Sequence, residues 1–172
     1  LVPSWRLVVI SDQLAADETF NSHPNLAWIQ VESLEDGVAL SEGFNYLAVN
    51  SDADYFSLLP VGFLIEPHAL LMIEDYFSLH PEWELLYTDH DYLDQDLLPR
   101  RPQFKPDFDP YYLYSYDYIG QAVVISRNAL HYLGGLQAYP EAEIFDFLLR
   151  ASADLGERKI GHLADPLLHL PE

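Results

Sequence analysis

The sequence predicts an α/β fold in which a mostly parallel sheet is covered by helices, and three observations predict it. Apolar runs of strand length alternate with segments whose apolar residues recur at helical spacing. The strand-length runs (RLVVI, LAWIQV, QAVVIS) read as buried strands. At 172 residues the chain is most simply one domain, spanning 1–172 and long enough to bury a core.

The elements follow in order. Arg6 to Ile10 reads as the first strand and Leu26 to Val31 as the second. Between Asp36 and Asn50, residues Val38, Leu40, Phe44, Leu47 and Ala48 approximate one face of a helix. Tyr55 to Leu59 is a third strand, followed by a helix opening at Pro67 and ending near His80-Pro81. Trp83 to Tyr87 (WELLY) is a fourth strand, and residues 89–110, rich in Asp and Pro, read as a long loop. Gln121 to Ser126 is a fifth strand, Gly134-Gly135 marks a turn, and Glu143 to Leu155 is an amphipathic helix. A short strand, Lys159 to Leu163, leads to a proline-bounded tail.

Charge is the compositional outlier. Twenty-eight acidic residues face eight Lys and Arg, a formal net charge of −20. A field of that sign repels polyanions, so nucleic acid is set aside as a partner. No apolar run reaches the ~18 residues of a membrane span, and no signal peptide is visible. The chain opens almost directly on a strand, as an excerpt of a longer protein would. With no cysteine, disulfides, thiolate chemistry and Cys-type zinc sites are excluded.

Three acidic clusters could carry chemistry. Asp52-Ala53-Asp54 precedes its strand and so lies at the amino end, away from the crevice where open α/β sheets bind ligands. Asp89-His90-Asp91 directly follows WELLY, where two carboxylates and an imidazole suit Mg²⁺ or Mn²⁺, or else cap turns in an exposed loop. Asp107 and Asp109 flank Phe108 ahead of Pro110, a helix-capping arrangement. His162 and His169 stand near the C-terminus, and a lone His in an apolar run such as PLLHL reads as a packed residue. The marks of P-loop, dinucleotide-binding, zincin and nucleophile-elbow proteins are missing. The segment after the third strand, Pro60-Val61-Gly62-Phe63, holds no carboxylate, imidazole or thiol.

The run Tyr87-Thr88-Asp89-His90-Asp91, then Arg101, Phe104-Lys105-Pro106-Asp107-Phe108, Asp117-Tyr118-Ile119-Gly120 and Gly134-Gly135-Leu136 resembles the family 2 glycosyltransferases, particularly bacterial enzymes of O-antigen and related polysaccharide assembly. Upstream, Trp5 to Asp12 is similar to the family's strand ending in Asp-Asp, and Gly37 and Asn45 to its Gly-Ile-Ser-x-x-x-Asn helix. The resemblance implies a GT-A-like (Rossmann-like) fold with helices on both sheet faces and without the family's first strand. It implies a nucleotide-sugar donor and a glycan acceptor, with Asp12, Asn45 and Lys105 as nucleotide-binding candidates.

Two departures stand out against that family. The ungapped match of Ile65-Glu66-Pro67-His68-Ala69-Leu70 places Pro60 to Phe63 on the family's Asp-x-Asp-Asp metal motif. In Glu141 to Arg150, the family's general-base Asp falls on Ile144, while Asp146 and Arg150 match. A departing nucleoside diphosphate needs a metal or cationic clamp, and a sugar hydroxyl needs a base.

The leading expectation is therefore a glycosyltransferase-like domain of a bacterial polysaccharide-assembly protein with a degenerate site and no resident cofactor. It would lie in the cytoplasm, at the inner membrane face through a larger protein, beside a second glycosyltransferase domain. The alternative is an active enzyme with a displaced Mn²⁺ or Mg²⁺ site of Asp89, Asp91 and His169, and Glu141 or Glu143 as base. A metal-dependent phosphoesterase centred on Asp89-His90-Asp91 is a third reading.

Overall fold

A computed structural model describes residues 4–14 and 18–171. Leu7–Ser11 (β1) and Leu26–Gln30 (β2) pair in parallel, Leu7 opposite Leu26, around the short helix Thr19–Ser22 (α1). Val38–Asn50 (α2) packs close to β1 because Gly43 lacks a side chain: a Cβ there would lie 3.0 Å from Ile10 Cδ1. Tyr55–Phe56 (β3), Leu64–Ile65 (β4) and the helix Ala69–Leu79 (α3) follow. Leu85–Leu93 (β5) and Pro99–Gln103 (β6) form a hairpin, and Pro110–Ser115 (α4) leads to Val123–Ser126 (β7). Arg127–Leu133 (α5), Glu143–Asp154 (α6) and the twelve-residue strand Ile160–Pro171 (β8) complete the chain.

Strands β3 to β8 form a mixed sheet in the order β3-β7-β5-β8-β4, with β6 paired to β5. Strand β5 is its axis. Along one edge it pairs in parallel with β8; along the other it pairs antiparallel with β7 and then with β6. Leu85 and Tyr87 point into one apolar core with Phe44 of α2, Leu113 of α4, Leu130 of α5 and Phe147 of α6. Leu86 points the other way, into a smaller core with Ala69 and Phe77 of α3 and Leu163 and Leu167 of β8. Helices thus cover both faces, as an α/β strand buried on each side requires.

The α/β class holds, and the sheet is mixed where a mostly parallel one was expected: among the described residues only β1·β2 and β5·β8 are parallel. The reason lies in residues 89–110, which are no continuous loop. β8 offers a parallel partner along the whole of β5, so the strand runs on through Asp89 to Leu93 despite its polar composition. The chain then reverses at a turn in which Asp94 Oδ1 accepts from the amides of Asp96 and Leu98, 2.9 and 3.0 Å. β6, with two prolines, is an exposed edge strand. The third strand shortens to Tyr55–Phe56, the last lengthens to Pro171, and α3 begins at Ala69 with Pro67 in the preceding turn. Close approach governs one further site. Gly161 of β8 lies beneath the Trp83 ring, where a Cβ would meet the indole at 2.1 Å.

Candidate functional site

The polar residues of the β5 segment are arranged by its register against β8. Tyr87 stands opposite His162 and Asp91 opposite His169, and between them β8 has register shifts at Thr88/Asp89 and Asp89/His90. The result is two carboxylate–imidazole–carboxylate rows crossing from β5 to β8 and beyond.

In the first row, Asp89 is 2% exposed and its Oδ1 faces His162 Nε2 at 2.9 Å, while the other ring nitrogen lies 3.4 Å from the exposed Asp107. The imidazole stacks on the Tyr87 ring, centroids 4.7 Å apart. The same Asp89 oxygen accepts the Lys105 amide at 2.9 Å. The Lys105 ammonium points inward and donates to the carbonyls of Thr88 and Ile119, both at 2.6 Å. Burial pushes its pKa down to about 8, against the opposing pull of Asp89 and Asp117. Asp89 and Lys105 together tie the segment entering α4 to the sheet.

In the second row, His169 Nδ1 lies 2.6 Å from Asp91 Oδ1 and its Nε2 lies 3.0 Å from Glu66 Oε1. Glu66 follows β4, so this row fastens the sheet edge to its centre. Burial disfavours the imidazolium, but the hydrogen bonds and charges of Asp91 and Glu66 outweigh it and raise the pKa above 6.5. Between the rows, burial and then Lys105 push His90 down to about 4, against Asp89 and Asp91. Its ring meets Tyr92 edge to face.

The turn where the metal motif was expected to align is apolar. Pro60, Val61 and Gly62 are exposed, with Val61 at 90% exposure, and Gly62 adopts φ +96° beside Pro171. It follows β3 at the margin of the sheet rather than a central strand. Among the described residues, no three His, Asp or Glu side chains converge to hold an ion. Asp89 and Asp91, though two apart in sequence, serve different histidines.

The remaining candidates lie apart. Asp12 is exposed just past β1 and lines a shallow recess with Gln30, Val31 and Glu32 at the carboxyl ends of β1 and β2. Asn45 clasps Leu136 with both ends of its amide, accepting its N–H at 2.8 Å and donating to its carbonyl at 2.9 Å. Gly135 makes this possible, because a Cβ there would sit 2.3 Å from the Asn45 oxygen. Glu141 is exposed at φ +66°. Glu143, in the first turn of α6, is 5% exposed and lies against Gly37. Ile144 beside it is 1% exposed in the main core. Arg150 pairs with Asp146 at 2.7 Å and donates to the carbonyls of Leu133 and Gly135. Asp109 caps α4, accepting from Tyr111 and Tyr112, as its place before Pro110 suggested.

The sequence reading missed Glu66 and the pairing of His162 with Asp89. Glu66 lies 103 residues from His169, and only the β4–β8 ladder brings them together.

The chain has relatives among known proteins. No family model matches the chain. It is 34% identical, over 96% of its length, to an O-antigen biosynthesis protein, RfbC, of Myxococcus xanthus, and spans 14% of that protein. It is 29% identical over 66% of its length to an uncharacterized protein, y4gI, of Sinorhizobium fredii, covering 12% of it. In fold it is similar to S. aureus TarS 1-349 in complex with UDP-GlcNAc, with TM-score 0.68, 16% identity, and coverage of 97% of this chain and 49% of that one.

Two predictions follow from the rows. Replacing Asp89 by Ala strands the Lys105 amide and the His162 ring, and costs about 1–3 kcal/mol in urea unfolding, whereas Asp89→Asn keeps an acceptor and costs distinctly less. Neither loss depends on Mn²⁺. A wild-type melting point that rises with Mn²⁺, and a rise lost equally in both variants, would assign Asp89 to an ion instead.

For His169 the sign follows from its raised pKa. The folded state binds the proton more tightly than the unfolded chain, so the stabilisation is complete below about pH 6.5 and is lost as pH climbs through the higher folded value. The melting-temperature advantage of wild type over His169→Gln is expected to shrink across that window. An advantage that is flat or grows with pH contradicts the assignment.

Proposed function

We propose that this chain, a family 2-like glycosyltransferase domain of the GT-A fold, is a non-catalytic domain of a polysaccharide-assembly protein. The observation that carries the reading is the apolar turn at Pro60–Phe63, exposed at Pro60, Val61 and Gly62, on the stretch that the sequence resemblance sets against the family's metal motif. Transfer from a nucleotide sugar leaves negative charge on the departing diphosphate, and a preorganised cation is the usual stabiliser, worth ~10²-fold or more in rate. The cationic candidate of the segment, Lys105, donates to main-chain carbonyls in the interior. Where a base would stand, Ile144 fills the core.

The relatives support the wider setting. A biosynthesis protein of O-antigen contains a stretch similar to nearly all of this chain, and this chain spans only 14% of it. A larger protein with a separate catalytic domain, working on a glycan acceptor in the cytoplasm at the inner membrane face, fits that relation. No described helix is long and apolar enough to cross a membrane.

The chain retains a GT-A frame around β1 and β2, so weak, metal-independent contact with a nucleotide near Asp12 is compatible with this reading. Asn45, with its amide engaged by Leu136, contributes to that frame by holding α2 against the Gly135 turn.

Calorimetric titration with UDP and with UDP-GlcNAc, each with and without Mn²⁺, tests the proposal. The expected result is no binding tighter than about 1 mM and no enhancement by the ion. Micromolar, Mn²⁺-dependent binding would restore the active-enzyme alternative.

A further inference from the structure

Helix α4 exposes more aromatic surface than its packing uses. Of its six residues only Leu113 is buried; Tyr111, Tyr112 and Tyr114 are 79%, 44% and 56% exposed. Tyr112 is accounted for, since its ring stacks on Tyr118 at 4.7 Å. Tyr111 and Tyr114, three residues apart and so on one helical face, instead line an open recess with Ser152 of α6, Leu155 at its C-terminal cap, and Glu157 and Arg158 beyond it.

Its lining has a particular chemistry. Two phenol rings supply flat faces with a negative quadrupole, which attract polarised C–H groups. The hydroxyls of Tyr114 and Ser152 hydrogen-bond each other at 3.3 Å, and each keeps acceptor capacity for a ligand. Arg158 makes no hydrogen bond or ion pair among the described residues, so its forked donors are free. Glu157 beside it supplies acceptors and balances its charge. Aromatic faces beside mixed donors and acceptors match a pyranose, which presents C–H groups on its faces and hydroxyls around its rim.

We infer that this recess between α4 and the end of α6 is a binding site for a neutral oligosaccharide chain, lined by none of the residues named above as nucleotide or ion candidates. Neutrality follows from charge: the local Glu–Arg pair sums to zero and the −20 chain repels anionic glycans. The site lies at the far end of α6 from Ile144, about eleven residues or some 16 Å of helix away. Its position lets the domain hold a glycan without any donor chemistry. The choice of a carbohydrate leans on the polysaccharide-assembly reading, but the recess makes its own prediction.

The test is saturation-transfer NMR and calorimetry on the whole chain with maltohexaose, chitohexaose, a mannohexaose and a rhamnose-containing hexasaccharide as probes. At least one is expected to bind with Kd below about 10 mM, and Tyr111→Ala and Arg158→Ala each to weaken it about tenfold. Both residues are exposed, so the variants fold; Tyr132→Ala, at an exposed tyrosine outside the recess, leaves binding unchanged. Absence of binding to all four probes, or binding indifferent to Tyr111 and Arg158, overturns the inference. So does self-association in sedimentation that is abolished by Tyr111→Ala, which would make the patch a protein contact. UDP added to the sugar complex separates the two claims: Mn²⁺-dependent UDP binding defeats the non-catalytic reading alone, and loss of sugar binding defeats this site alone.

Discussion

The parallel pairing of β5 with β8 is the constraint on which the rest of the structure depends. It carries the two apolar cores on its opposite faces and decides where every polar residue of the β5 segment points. Once Tyr87 is opposite His162 and Asp91 opposite His169, the carboxylates of Asp89 and Asp91 meet imidazoles before they can meet each other. A buried carboxylate without a partner is costly, so these pairings remove a penalty as much as they add attraction. Their value to the fold is connection. One row ties the chain entering α4 to the sheet through Lys105, and the other ties the edge strand β4 to the centre through Glu66.

The same geometry separates structural from chemical roles for residues that look catalytic in a list. Asn45, Lys105, Asp146 and Arg150 all fall on positions where the family resemblance matches, and all are engaged with the main chain or with each other. A motif can therefore serve to hold backbone turns together, in this case the Gly134–Leu136 turn clasped from α2 and α6. Pro60, Val61 and Gly62, by contrast, form an exposed turn. An exposed turn tolerates substitution more readily than the clasped one.

Much of the fold was legible because period and punctuation agreed. The α6 pattern and the cap at Asp109 needed only local chemistry, and the first half of β5 is an apolar run with no competing reading. The second half of β5 was not legible: Thr88 to Leu93 is a strand only because β8 lies alongside it, and nothing local announces that partner. For the same reason the role of Glu66 and the pairing of His162 with Asp89 escaped notice, although Asp89, Asp91, His162 and His169 were all named. The residues could be named from sequence, but which carboxylate faces which imidazole depends on the register shifts flanking Asp89. Helix α5 was missed because seven residues are too few to show a period, although Ser126 and Gly134 cap its ends.

The central claim is that Asp89, Asp91 and Glu66 are engaged with the histidines of this domain and are not arranged to hold an ion for a diphosphate. Anomalous diffraction at the manganese edge, from crystals soaked with Mn²⁺ and UDP, tests it most directly. The account predicts no anomalous peak at Pro60–Phe63 and none between Asp89, Asp91 and His169, with both imidazole pairs intact. A peak within coordination distance of Asp91 and His169, with the Glu66 contact broken, would contradict it.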